Sequence, residues 1–290
     1  MTQLYFAGVN GDKLARGAEG HHVLISYADI QRSPALWAKH LRPRLERGDF
    51  AGAILDSGAF SELSEKQRGK ANPIHISLAD YTAFCVEFGH LFDFVVTLDD
   101  IEGDLARTWS NTAYMREHGV DPVVVYHGSE SLDVLDHYIA SGVTRIGLGF
   151  RRERGRIAKR QGDQLQFDRD GWLRECFARI PDHVQIHGLG MTRYARAGGH
   201  DRLDTVDSTT WIAEFIALRK VDGPCSDAAV HALTEAAKLR LVTGSYQRRA
   251  DEPSDAERAS VAAVAVGQAR TVLARWGRGL DGALEVLAAA

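Results

Sequence analysis

Apolar positions along the chain gather into short, dense runs of β-branched and aromatic residues rather than into long amphipathic stretches. Eight such runs are Leu4 to Gly8, Val23 to Tyr27, Ala53 to Asp56, Phe94 to Asp99, Val123 to His127, Arg145 to Gly149, Val184 to Gly188 and Thr205 to Asp207. Most are continuous, as in FVV, PVVVY and GAIL. Strands covered on both faces of a parallel sheet read this way, whereas a half-solvated sheet alternates. Helix-like segments lie between them, among them Leu78 to Gly89, Leu105 to His118, Ser131 to Ser141 and Trp172 to Ile180. Strand alternating with helix predicts an α/β fold of the TIM (β/α)8-barrel type. The first run is followed by too little chain for a helix. It is therefore either a barrel strand or a strand capping the barrel, and in the second case one barrel strand escapes this reading.

After Trp211 the sequence turns alanine-rich. Ser226 to Thr243 reads as one helix, and Ser254 with Glu257 forms an S-x-x-E capping box opening a longer one that ends near Gly277. The expected organisation is a barrel core over residues 1–215 and a helical extension over 216–290 packed outside it. The Arg/Asp-rich stretch from Arg151 to Asp170 is the expected long loop.

Composition narrows the function classes. Apolar residues make up 44% and charged ones 26% of 290 residues, which suits a folded domain with a large core. A formal net charge of −4 excludes a body that binds nucleic acid by general neutralisation of phosphates, so any such contact has to be local. The local candidate is Arg151, Arg152, Arg154, Arg156, Lys159 and Arg160, six cations in ten positions. They are either a solvated loop face or a phosphate-positioning patch, and the second is favoured here. Cys85, Cys176 and Cys225 are odd in number and widely spaced, which gives neither a disulfide framework nor a cysteine-rich zinc site and points to a reducing cytoplasm. The first residues lack a secretory pattern, and no apolar run approaches the roughly 18 residues of a membrane span.

The ends of the runs carry the chemistry. DSG follows the third, DD the fourth, HGS the fifth, GLGF the sixth, HGLG the seventh and DST the eighth. In a TIM barrel the carboxyl ends of the strands and the loops after them form the active site. Asp56 in ILDSGAF and Asp207 in TVDSTTW therefore face one cavity, with Asp99 a third carboxylate. Each could singly be a helix N-cap. Together they form the pair that glycosidic chemistry needs, one carboxylate for the anomeric carbon and another group for proton transfer.

Taken in order, LDSGAF, VTLDD, VYHGS, IGLGF, IHGLGM and VDSTTW span about residues 50 to 215 and resemble the tRNA-guanine transglycosylases. The resemblance is closer to their relatives that insert 7-deazaguanines into DNA. It implies that Asp207 is the nucleophile at C1′, Asp56 the general acid/base and Asp99 the aspartate that hydrogen-bonds the guanine edge. His127 stands where the tRNA enzymes usually carry a glutamine of similar use. Phe60 falls where an aromatic ring stacks on the base, its other reading being a core phenylalanine. Gly147, Gly149, Gly188 and Gly190 match positions where backbone meets base or sugar, and as bare glycines they are equally turn residues.

The chain departs from the tRNA enzymes in lacking the C-x-C-x2-C zinc module, since Cys225 alone lies in that half. With it goes the scaffold on which those enzymes dimerise, which leaves a monomer open. The implied partners are DNA, or alternatively tRNA, and a free base such as preQ0, with no cofactor and no metal. Two other classes stay open: a metal-dependent barrel hydrolase using Asp56, Asp99, Asp207 and His127, and a non-catalytic barrel that binds nucleic acid. His187, in HGLG, is either a packed or a ligand-facing histidine. Trp211 reads as a packing anchor before a stacking ring.

Overall fold

The computed structural model describes residues 2–128, 130–150, 169–191 and 202–209 of the chain. Eight parallel strands form one sheet in these residues: β1 (Gln3–Ala7), β2 (His22–Ser26), β3 (Gly52–Asp56), β4 (Phe94–Val95), β5 (Val124–His127), β6 (Arg145–Gly149), β7 (Gln185–Leu189) and β8 (Thr205–Ser208). Their order is β4-β3-β2-β1-β8-β7-β6-β5. The sheet curls until its two ends meet: Val123 N–H donates to the Val95 carbonyl at 2.8 Å, and Thr97 N–H donates to the Val123 carbonyl at 3.0 Å. The result is a TIM-barrel-like α/β fold, and each predicted run supplies one strand.

The first run is a sheet strand and not a cap, because β1 pairs with β2 on one side and β8 on the other. The chain after it also proves long enough for a six-residue helix, α1 (Asp12–Gly17). Next come α2 (Tyr27–Arg32), α3 (Pro34–Leu36), a π-helical turn over Trp37–Leu41 and α4 (Arg42–Arg47). The remaining described helices are α5 (Ala59–Gln67), α6 (Leu78–Phe88), α7 (Leu105–Glu117), α8 (Leu132–Ala140) and α9 (Arg169–Arg179). Local chemistry sets several starts: the Ser77 hydroxyl caps α6 by accepting from Asp80 N–H, and the Asp104 carboxylate caps α7 by accepting from Arg107 N–H. The expected C-terminal helices, Trp211, Cys225 and the six cations from Arg151 to Arg160 lie outside the described residues.

The continuous apolar runs are explained by two different partners for alternate side chains. Tyr5, Ala7, Leu24, Ile54, Phe94, Val96, Val123 and Val125 point inward and fill the barrel with Leu189. Phe6, Val23, Ile25, Leu55 and Val95 point outward and pack with residues of α1, α2 and α6. Tyr126, Ile146, Leu148, Ile186 and Val206 do the same beneath α8 and α9. Trp37 in the π turn anchors α6 through Phe84 and Phe88, at ring separations of 4.9 and 5.1 Å. The amino-terminal end of the barrel is filled by polar and aromatic groups. Tyr5 Oη donates to Asp93 at 2.8 Å, and the Arg145 guanidinium lies 4.2 Å from the centre of the Phe94 ring while bonding Gln185. Among the described residues no helix is long and apolar enough to cross a membrane.

Candidate active site

Strand alternation places four of the candidate side chains inside the barrel at its carboxyl end. Asp56 shares a face with Ile54, His127 with Val125, and His187 with Leu189; Asp207 follows Thr205 on β8. Asp56 ends β3 and runs into a tight turn made possible by Gly58, at φ 85°. A side chain on Gly58 would meet Ala28 Cβ at 2.6 Å and its backbone nitrogen at 2.9 Å. The turn lets Gly58 N–H donate to Asp56 Oδ2 at 3.0 Å. Burial, then the negative charges of Asp99 and of Asp207, push the Asp56 carboxyl up to about 7, with the Gly58 amide pulling it partly back. A carboxyl in that range exchanges its proton near neutral pH, which is what a general acid/base requires.

Asp99 lies just past β4 and pairs with His127, the Nε2 to Oδ2 distance being 2.6 Å. Both side chains are close to fully buried. The imidazole has room because position 149, its register partner on β6, is glycine: a Cβ there would stand 2.9 Å from His127 Nδ1. Glu130 holds the strand end by accepting from His127 N–H at 2.9 Å. The irregular chain after β4 is tied down from α7, where Asn111 Nδ2 donates to the Leu98 carbonyl at 2.7 Å and the Thr112 and Thr97 hydroxyls meet at 3.0 Å.

Asp207 on β8 is buried and accepts from Gly190 N–H at 2.8 Å through Oδ1. Gly190 sits at φ 63°, the conformation that turns its amide toward β8. His187 approaches the same Oδ1, with Nε2 3.5 Å away, and its Nδ1 meets the Thr205 hydroxyl at 2.8 Å.

Phe60 is 53% exposed in the first turn of α5, so the core reading of this ring is set aside. Beside it a cleft lined by Ala59, Glu62, Ile76, Leu98 and Arg107 leads to Asp99. The glycines divide. Gly149 and Gly190 belong to the carboxyl-end cluster. Gly147 is filled against Val125 and Leu189 inside the barrel, and Gly188 against Met191, Leu203 and Val206 outside it, so close packing accounts for both.

Sequence reasoning left Thr205, Glu130 and the approach of His187 to Asp207 unassigned. Thr205 and the approach of His187 depend on which residues stand opposite one another across strands, which no spacing within one strand encodes, whereas Glu130 acts locally, three residues after the His127 N–H it accepts from. Among the described residues no group of three or more His, Cys, Asp or Glu side chains is arranged to hold a metal ion. Compared with known proteins, the chain matches no family model and no curated protein.

Proposed function

We propose that the protein is a transglycosylase that exchanges guanine in DNA for a free 7-deazaguanine such as preQ0, on a (β/α)8 TIM barrel. The observation that carries this reading is the convergence of three carboxylates, in which the charges of Asp99 and Asp207 help hold the Asp56 proton up to about 7. A carboxylic acid that keeps its proton to near neutral pH, set close to a second carboxylate, is the equipment of glycosyl transfer through a covalent intermediate.

In this mechanism the guanine is turned out of the duplex, at a cost of a few kcal/mol in stacking and pairing. Phe60 stacks on it, and Asp99, steadied by His127, reads its edge. An oxygen of Asp207 attacks C1′ as the C1′–N9 bond breaks, and Asp56 gives its proton to the departing guanine. The incoming 7-deazaguanine then loses a proton to Asp56 and attacks C1′, which releases Asp207 as a carboxylate. Two inversions retain the β configuration. The arginines between residues 151 and 160 hold the phosphates in this scheme, and the reaction proceeds in the cytoplasm.

The test is Asp207→Asn in a base-exchange assay with labelled guanine, using DNA, tRNA and free nucleosides as separate acceptors. Nucleoside mass spectrometry should find exchange into DNA by the native protein and a loss of at least roughly a thousandfold in the variant. Full exchange by Asp207→Asn removes the nucleophile, and exchange into tRNA or nucleosides alone changes the acceptor.

A further inference from the structure

Among the described residues, His187 is the histidine that approaches the proposed nucleophile, and it is 99% buried, at 1% exposure. It lies in the barrel interior, edge-on to Tyr5 and Phe94, with ring centres 6.3 and 5.5 Å away. Its Nδ1 is taken up by the Thr205 hydroxyl at 2.8 Å. Its Nε2 is buried without a hydrogen-bond partner among the described residues and faces Asp207 Oδ1 from 3.5 Å. That separation is beyond a good hydrogen bond, and such contacts tighten when substrate fills an active site. A lone pair on Nε2 would face a carboxylate oxygen, so the favoured tautomer has the proton on Nε2 and the Thr205 hydroxyl donating to Nδ1.

Resting on the reading of Asp207 as nucleophile, we infer that His187 is a positioning residue that, with Gly190 N–H, marks Oδ1 as the oxygen that does not attack and so favours breakdown of the glycosyl-enzyme. Both donors converge on Oδ1, which leaves Oδ2 to form the bond to C1′. In the first displacement the carboxylate spends its charge on that bond, Oδ1 becomes an ester carbonyl, and the two hydrogen bonds weaken. In the second displacement the C1′–Oδ2 pair returns to Asp207 as the incoming base bonds to C1′, charge reappears on Oδ1, and the two donors stabilise it. Groups aimed at charge that develops in a transition state act on that step selectively. The Thr205 hydroxyl, able to donate to Nδ1, holds the ring in the tautomer that the Asp207 carboxylate selects.

The experiment is quantification of the covalent adduct on Asp207 by intact-protein mass spectrometry during turnover with a guanine-containing DNA duplex and preQ0. His187→Leu should lower kcat by about 10- to 100-fold, the scale for loss of an orienting partner, with KM little changed. It should also raise the fraction of enzyme held as adduct. His187→Gln, whose amide nitrogen can reach toward Oδ1, should restore part of both. An adduct fraction that stays level or falls in His187→Leu overturns the inference while leaving Asp207 as nucleophile; a native enzyme that never labels on Asp207 overturns the nucleophile itself. Since a buried substitution can disturb folding, nitrogen-15 NMR of histidine-labelled native protein supplies a second arm. It should find the His187 proton on Nε2, and a proton on Nδ1 alone refutes the proposal.

Discussion

Replacing Asp56 with asparagine keeps the shape of the side chain, including an oxygen for the Gly58 N–H, and removes its charge. The native carboxyl is raised from 3.8 to about 7, chiefly by burial and then by Asp99 and Asp207. Holding the proton on to about pH 7 instead of 3.8 costs the folded chain up to about 4 kcal/mol. Water reaching a half-buried group at an open barrel end screens part of this, which leaves about 2 to 4 kcal/mol. The sign follows from proton counting. Below about pH 4 the carboxyl is protonated in both folded and unfolded chains and contributes nothing. As pH rises toward 7 the folded chain keeps a proton that the unfolded chain has released, so native stability falls; above 7 the cost is constant. Asp56→Asn, with no proton to gain or lose, carries no such cost. Urea unfolding of both proteins at several values between about pH 4 and about pH 8 isolates it, because other titrations largely cancel in the difference. The advantage of the variant should grow through this window and then level off, while base exchange is lost throughout. A difference that stays flat with pH would show that Asp56 is neither desolvated nor repelled by its neighbours.

Two further substitutions probe the cleft. Gly149→Ala puts a methyl group 2.9 Å from His127 Nδ1 and 3.2 Å from Cε1, so the ring has to turn away from Asp99. Overpacking of this kind should cost about 1 to 3 kcal/mol in urea unfolding and weaken guanine binding measured by calorimetry. Unchanged affinity would separate the Asp99–His127 pair from base recognition. Phe60→Ala, at an exposed ring, should leave stability within about 0.5 kcal/mol while weakening the base by roughly 5- to 150-fold, the equivalent of about 1 to 3 kcal/mol of stacking. Equal affinity would leave Phe60 as surface.

Strand identity was legible because the dense apolar runs have to be covered on both faces, and each of the eight supplied a strand at or within a residue or two of its expected start. The polar tails were legible for a related reason: a carboxylate directly after a buried run, as in ILDSG and TVDST, has no apolar surroundings to satisfy and belongs at an opening. The helices between Asp12 and Arg47, on either side of β2, were not legible. They are one to two turns long, and one segment is held by a buried Arg44 that bonds Glu19 at 2.8 Å, Asp12 at 3.2 Å and the His40 carbonyl at 2.8 Å. A charged residue used as a core group carries no periodic signal. His187 was visible only as a histidine near a strand end. Its meaning comes from Thr205 and Asp207 on the neighbouring strand, with His187 registered against Thr205.

Arg145 over Phe94 and the Tyr5–Asp93 bond stopper the amino-terminal end of the barrel. On the proposed reading, a base reaches Asp56 and Asp207 only from the opposite end of the strands and leaves by the way it came, so guanine departs before its replacement arrives.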